Sequence, residues 1–444
     1  MSDTNLETLL DLPTPTTIMY DVKQQEAINA CCNPDLRIVA VSGEGGTGKT
    51  KLFKEINSQL TAAGYLVGYS GPTGKAAMRI RESTGLNAVT NHRMLGYGQP
   101  IDHEDTDERT GEKKLIRIST GPSFGRKKPL PYDFILCDEY SMVNREVHDN
   151  LIAALKPGAR IRMFGDLNQL KPIETDKTIA DKPSAFQTAL DKFTSVVLET
   201  NYRQLAGSGI ISNAKRILLG RAPTKTDDFN IMYTDDPVMR LMQYVDEQKT
   251  AGADYSQLNY QIITCMNKSW IGTKKLNLSL QSMWWDKAKP YLELPRHKWE
   301  GDAASIRVQV GSKVVYTANT YDLGNEQSVF NGEVGIVENI DEDEGSVDIN
   351  LGDRIVTIPS LLIMVRDDGT VIETDPRKNI DLAGVLTTHK MQGSEVKEVI
   401  YVLNKSTLYG QSRRNFYTAV SRARNKCTVI TDQASMKKST VWAG

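Results

Sequence analysis

The chain has 444 residues, 39% hydrophobic and 25% charged, enough for several domains and a large core. A formal net charge of −1 supplies no whole-molecule field, so a polyanionic ligand would have to use a local groove. No stretch is long and apolar enough for a membrane span, and MSDTNLETLLDLP lacks the basic-then-apolar pattern of a secretion signal. The 5 cysteines form no C-x-x-C pair. That predicts neither a zinc site nor a disulfide framework, and points to a reducing, cytoplasmic setting.

Residues 1–18, with Pro13 and Pro15, read as a flexible arm. Tyr20 to Ile28 reads as a short amphipathic helix. Gln24 within it carries the paired donor and acceptor that an adenine edge requires. Arg37 to Val41 is an apolar run with the look of a buried strand. It leads into Gly43-Glu44-Gly45-Gly46-Thr47-Gly48-Lys49-Thr50, and a helical pattern follows. This is the phosphate-binding form G-x-x-x-x-G-K-[ST] in the strand-to-helix context it needs. Gly43, Gly45, Gly46 and Gly48 free the backbone, with Thr47, to wrap its N–H groups round a polyphosphate. The following helix aims its positive end at the same place. Lys49 would reach the β- and γ-phosphates, and the Thr50 hydroxyl would ligate Mg²⁺.

Leu66 to Ser70 reads as a second strand, entering the turn GPTGKAA at 71–77. Thr73 there is either a phosphate contact or a simple helix cap. Thr90-Asn91-His92 marks another turn. Residues 97–131 break the strand–helix alternation with an acidic patch and a basic strand-like stretch, Lys113 to Ile118. They read as an inserted β-hairpin or as a solvated excursion. Asp133 to Cys137 is an apolar strand ending in Asp138 and Glu139. Neighbours at a strand end point different ways. Asp138 is therefore assigned to the metal and Glu139 to an attacking water, as general base. Arg160 to Phe164 is a further strand, ending in GDLNQL at 165–170. Gln169 there sits where ligands bind in an open α/β sheet, suited to sensing a γ-phosphate. After Thr194 to Leu198 come Tyr202 and Arg203. An arginine finger at such a place is worth roughly 10³–10⁵ in rate.

A second α/β unit begins near residue 205. Gln261 to Cys265 reads as a strand and Asn267 to Leu280 as a helix. Residues 283–382 interrupt it with short alternating strands and turn signals such as Asn331-Gly332, the pattern of a small β-barrel. Val385 to Gly393 is a strand and a polar turn, and Val399 to Leu403 another strand. Arg413 to Arg424 reads as a helix with Arg422 near its end, and Cys427 to Thr431 closes the sheet.

Taken together these stretches resemble the superfamily 1 helicases, in the order that family uses. They are Gln24, GEGGTGKT at 43–50, GPTGKAA at 71–77, DEYS at 138–141, GDLNQL at 165–170, LETNYR at 198–203, TTHKMQGSE at 387–395 and YTAVSRAR at 417–424. The forms PTGKAA, TTHKMQG and YDLG…FNGEVG at 321–335 are most similar to the RecD/Dda branch. The resemblance implies an α/β fold of two RecA-like P-loop NTPase domains with parallel sheets, at 19–203 and 204–444. The first would carry a pin subdomain at 97–131, the second an SH3-like β-barrel at 283–382. ATP and Mg²⁺ would lie between the domains, with Gln24 and Tyr202 against adenine. Gln169, Arg203 and Arg422 would meet the γ-phosphate, and Thr73, His92, Thr388 and His389 the DNA strand. The implied activity is 5′→3′ movement on single-stranded DNA and unwinding of forked or partial duplexes, coupled to ATP hydrolysis. The implied setting is a monomeric motor in a bacterial or phage-infected cytoplasm, with a single-strand-binding protein as a partner. An RNA helicase, a translocase that needs a partner to unwind, and a nucleotide-gated loader are alternative readings of the same motifs.

Overall fold

The computed structural model describes residues 20–97, 101–106, 113–118, 121–174, 176–179, 181–202, 207–269, 271–295, 305–320, 323, 327–365 and 371–441. The expected arm at 1–18 and the candidate finger Arg203 lie outside the described residues.

Six short apolar runs form the strands of the first unit. They are β1 (Ile38–Gly43), β2 (Val67–Gly71), β3 (Val89–Thr90), β4 (Phe134–Cys137), β5 (Arg160–Gly165) and β6 (Thr194–Leu198). The helices are α1 (Val22–Cys32), α2 (Lys49–Ala62), α3 (Gly74–Thr84), α4 (Asn91–Met94), α5 (Arg145–Ala153) and α6 (Ala185–Lys192). The strands pair in the order β3-β2-β4-β5-β1-β6, every pair parallel. Side chains alternate between the two faces of a strand. Val39, Val41, Phe134 and Leu136 accordingly pack with Phe53 and Ile56, while Ala40, Ile135, Cys137 and Met163 pack with Leu151 and Phe186. A sheet covered on both faces is why these strands read as continuous apolar runs. All six run the same way, so the loops after β1, β4 and β5 gather at one edge.

The second unit repeats the plan. Strands β7 (Phe229–Tyr233), β8 (Tyr260–Thr264), β9 (Val385–Thr387), β10 (Val396–Val402) and β11 (Ala423–Thr431) pair in the order β9-β8-β10-β11-β7, all parallel. Helices α7 (Gly209–Leu218), α8 (Pro237–Thr250), α9 (Thr273–Trp284), α10 (Arg413–Val420) and α11 (Gln433–Val441) belong to it. Two parallel-sheet units with flanking helices agree with the RecA-like expectation. Between β8 and β9 the chain builds a five-stranded antiparallel sheet. Its order is Ile355–Ile358, Ser346–Asn350, Val334–Asp341, Lys313–Tyr316 and Ile380–Leu382. Val314, Tyr316, Val337, Val347 and Val356 form its own core. Within 97–131, Ile101–Thr106 pairs antiparallel with Lys113–Ile118.

Two helices differ from the sequence reading. The helix expected from Asn267 starts at Thr273, whose hydroxyl donates to Asn267 Oδ1 at 2.9 Å. Asn267, Lys268 and Ser269 thus lie ahead of the helix rather than in its first turn. The helix expected over 413–424 stops at Val420, and Ala423 already pairs with Val396 in the sheet. The Arg422 Nε–H donates to the Thr418 carbonyl at 3.0 Å, satisfying a helix-end oxygen. No helix among the described residues is long and apolar enough to cross a membrane.

Candidate nucleotide site and interdomain cleft

The loop between β1 and α2 takes its shape from glycine. Gly46 and Gly48 have φ of 94° and 85°, a region that favours residues without a Cβ. A Cβ on Gly48 would also lie 2.7 Å from the Gln24 amide nitrogen. Asp21 caps α1 and closes a capping box with Gln24. The buried Gln24 Nε2 then donates to the Thr47 carbonyl at 3.1 Å. Tyr202 stands over the same corner. Its hydroxyl donates to Asp21 at 2.9 Å and to Gln24 Oε1 at 3.1 Å, and its backbone N–H to Gly46 O at 3.2 Å. Asn201 Nδ2 donates to Gly45 O at 2.9 Å. Gln24 and Tyr202, expected against adenine, are bound to one another and to the phosphate loop.

Lys49 opens α2, and its ammonium donates to the carbonyls of Gly43 and, at 3.1 Å, Glu44. Thr50 is the next residue of the helix and half-buried. Asp138 and Glu139 follow β4. Burial, with the neighbouring Glu139 charge, raises the Asp138 carboxyl above its ordinary value, and Lys49 opposes the shift. Asp138 Oδ1 accepts the Glu139 N–H at 2.8 Å. Glu139 has φ of 50°, and its buried Oε2 has no hydrogen-bond partner. After β5, Asp166 is buried, and burial raises its carboxyl while Lys49 lowers it. Gln169 is buried as well, with Oε1 left without a partner.

These groups fit a nucleotide and its metal. Orphaned buried acceptors are costly, and Glu139 Oε2 and Gln169 Oε1 are two of them. Among the described residues no group of three carboxylate, histidine or cysteine ligands could cage a metal unaided. Mg²⁺ characteristically uses one or two protein oxygens plus phosphate oxygens, and Thr50 and Asp138 suit that pattern.

The loop after β5 is held by the other unit. The Tyr417 hydroxyl on α10 donates to Asp166 Oδ2 at 2.8 Å. Leu170 N–H donates to Thr418 Oγ1 at 3.1 Å, and Gln392 Nε2 to Leu170 O at 3.3 Å. Three side chains of the second unit thus grip the segment that carries Gln169. The same segment runs on to Lys171, which lines a cleft of about 230 Å³ between the units. Pro72, His92 and Asn144 come to that cleft from the first unit, His389 and Gln392 from the second. His92 packs edge-on against Tyr97, with ring centroids 4.9 Å apart. His389 is half-buried, and burial lowers its imidazole below the ordinary value.

Thr388 and Arg422 stand elsewhere than expected, and Thr73 takes the helix-cap reading. Thr388 is fully buried, and its hydroxyl donates to Asn415 Oδ1 at 2.6 Å, so it has no surface to offer a strand. Thr73 caps α3, accepting the Ala76 N–H at 3.1 Å. Arg422 is buried, donating to Thr418 O, to Ser394 O at 3.3 Å and to Ser421 Oγ at 2.9 Å. Its guanidinium is spent within its own unit in this conformation.

The AAA domain family matches residues 19–231, and the UvrD-like helicase C-terminal domain family matches residues 382–430. The chain is 31% identical over 398 residues to the ATP-dependent RecD2 DNA helicase of Deinococcus radiodurans, covering 88% of this chain and 46% of that protein. It is 24% identical to the RecBCD enzyme subunit RecD of Mycolicibacterium smegmatis, over 90% of this chain and 69% of the relative. The fold matches the Pif1 helicase from Bacteroides solved with ADP-AlF3 and ssDNA, with a TM-score of 0.59 at 18% identity, over 96% of this chain and 94% of that one. It matches the Pif1 helicase from Candida albicans with a TM-score of 0.56. The chain is similar to RecD-type helicases, and it spans less than half the length of the RecD2 relative.

Sequence reading missed Asp166, Tyr417, Thr418 and Gln392. Their signal was the pairing of GDLNQL with YTAVSRAR, two motifs that are remote in sequence but in contact in the fold. The bond from Tyr417 to Asp166 has a measurable consequence. Tyr417→Phe keeps the ring and removes one hydrogen bond to a carboxylate, a contact worth about 1.5–3 kcal/mol. ATP hydrolysis is expected to fall roughly tenfold or more with little change in binding of a fluorescent ATP analogue. An unchanged hydrolysis rate would make the bond a bystander.

Proposed function

We propose that the chain is an ATP-driven motor of the RecD/Dda branch that moves 5′→3′ on single-stranded DNA and opens forked or partial duplexes. One observation carries the reading: the segment after β5 serves both sites. It brings Asp166 beside Lys49 and Asn168 beside Glu44 at the phosphate loop and Lys171 to the cleft, and the second unit holds it. The named activity of the RecD2 relative, and the ssDNA and forked DNA in solved Pif1 neighbours, support the same reading.

Glu139 holds an acceptor where an attacking water would release its proton. Lys49 and the loop N–H groups meet the phosphates, and Gln169 Oε1 is free to orient the water. Mg²⁺, held by Thr50 and Asp138, would neutralise charge on the phosphate oxygens. Binding of ATP favours a closed arrangement only through contacts that differ between the open and closed states. Arg422 would have to leave its carbonyl partners to make one, and Arg203 would add a second. On hydrolysis the grip on the segment after β5 changes, and His92 and His389 release and take the strand alternately. Base and backbone contacts of this sort are largely independent of sequence. The hairpin at 97–131 is assigned to splitting the duplex, and the motor to acting as a monomer.

The test is strand separation on partial duplexes with either a 5′ or a 3′ single-stranded tail, with ATP and Mg²⁺. Unwinding from the 5′ tail alone is expected. Unwinding from the 3′ tail alone would reverse the polarity and the assignment of the hairpin. ATP hydrolysis stimulated by RNA but not by DNA would move the motor to RNA.

A further inference from the structure

We infer that Phe330 of the antiparallel sheet is a positioning residue for the Thr73 turn, so that this sheet sets how firmly the first unit holds a DNA strand. The inference rests on the motor reading above.

Helix α3 begins at Gly74, immediately after its cap Thr73. Gly74 is not required by its φ, since it is absent from the positive-φ glycines. It is required by space. A Cβ at Gly74 would lie 2.1 Å from the Phe330 Cβ and 2.5 Å from its Cγ. Phe330 is 6% exposed, so its side chain is seated on the start of α3.

The turn that presents Phe330 is fixed from within its own sheet. The Phe330 N–H donates to Glu333 Oε2 at 2.8 Å, and the Glu333 N–H returns to the Phe330 carbonyl at 3.1 Å. Gly332 supplies the left-handed residue, with φ of 92°. Arg354 Nη2 donates to both Glu333 oxygens, at 2.9 and 3.0 Å. The other end of the same guanidinium reaches the Met78 sulfur at 3.2 Å, one turn along α3 from Gly74. The sheet therefore touches α3 at two points on one face. A second grip comes from the other unit, where Arg79 meets Glu395 at 3.5 Å. A cavity of about 140 Å³, lined by Lys75, Met78, Glu333, Met391 and Glu395, separates the three bodies. Such space lets α3 shift when one grip loosens, because packed interiors transmit displacement and voids absorb it.

Phe330→Ala removes the ring and keeps the turn. Contacts of this kind modulate coupling between sites by a few-fold to tens-fold. The expected result is a roughly tenfold rise in the single-stranded DNA concentration that half-saturates ATP hydrolysis, with hydrolysis lacking DNA unchanged and the saturated rate retained. Phe330→Leu, which keeps an apolar branch against Gly74, is expected to recover most of the affinity. Amide exchange in residues 74–78 is expected to quicken in Phe330→Ala. A Phe330→Ala protein that melts like the wild type and keeps both its half-saturating concentration and its exchange rates overturns the inference. If Phe330→Ala does not fold, Phe330→Val, which draws the branch back from Gly74, is judged by the same two readouts and the same expected losses. A wild-type protein that no DNA strand stimulates sinks the motor reading instead, and the exchange rates still decide whether Phe330 positions the turn.

Discussion

Glu139→Gln is expected to slow ATP hydrolysis by roughly 10²–10⁴ while ATP still binds. Among the described residues Glu139 is the one residue other than glycine with positive φ, at 50°. A glutamate in that region costs about 1–3 kcal/mol and persists only where its surroundings impose it. They do so here. Its N–H is held by Asp138 Oδ1, and its carbonyl accepts the Met142 N–H at 3.0 Å. Its Oε2 is left buried without a donor. An unpaired buried acceptor weakens the fold, so its presence calls for a ligand that donates, and a water poised to lose a proton is one. Glutamine has the same shape and can still donate, but it takes no proton. The fold and the phosphate contacts are thus expected to survive. The check is single-turnover hydrolysis beside binding of a fluorescent ATP analogue. Wild-type turnover in the variant would take the base's task from Glu139 and pass it to Asp138.

Much of this geometry was legible in the sequence because it is local. A phosphate loop needs strand, glycines, lysine and helix within a short span, and all of them lie between Ile38 and Ala62. Strand ends carrying Asp138, Glu139 and Gln169 could be read from apolar runs alone, since the parallel sheet buries both faces. What depends on remote partners was not legible. Arg162 sits in the middle of β5, fully buried, where the pattern predicts an apolar residue. Its guanidinium donates to the carbonyls of Cys31 at 2.6 Å and of Asn33 and Leu36 at 2.9 Å, tying the end of α1 to the sheet. Nothing near residue 162 in sequence announces those carbonyls. Thr388 failed for a similar reason. A polar residue in a polar turn reads as surface until Asn415 arrives from α10 to bury it. The helix end at Val420 was missed because SRAR is compatible with a helix, and only the pairing of Ala423 with Val396 draws it into the sheet. Asn331-Gly332 was legible as a turn, but the glycine at 74 that receives Phe330 was not.

Lys49→Ala is expected to abolish ATP hydrolysis, a loss of roughly 10²–10³ or more, with strand binding retained. The reasons differ from those for Glu139. The Lys49 ammonium faces the carbonyls of Gly43 and Glu44, and its charge draws down the proton affinity of both Asp138 and Asp166. Without it the site keeps its acids and loses its central cation. Burial and the Asp166 charge already raise the Glu44 carboxyl above its ordinary value, so further negative charge from phosphates would enter with less opposition. Nucleotide affinity should therefore fall along with turnover, whereas Glu139→Gln loses turnover alone. Lys49→Arg separates charge from shape. A planar guanidinium needs more width than a point ammonium, and the converging carbonyls leave little, so it is expected to restore little activity. Single-stranded DNA binding, read by fluorescence anisotropy without nucleotide, should match the wild type in all three variants. The cleft of Pro72, His92, Lys171 and His389 takes no lining from Lys49 or Glu139. Hydrolysis that persists in Lys49→Ala would remove the phosphate loop from the chemistry. Loss of strand binding in the same variant would mean instead that the loop and the cleft cannot be uncoupled, because the segment after β5 passes every disturbance at one site to the other.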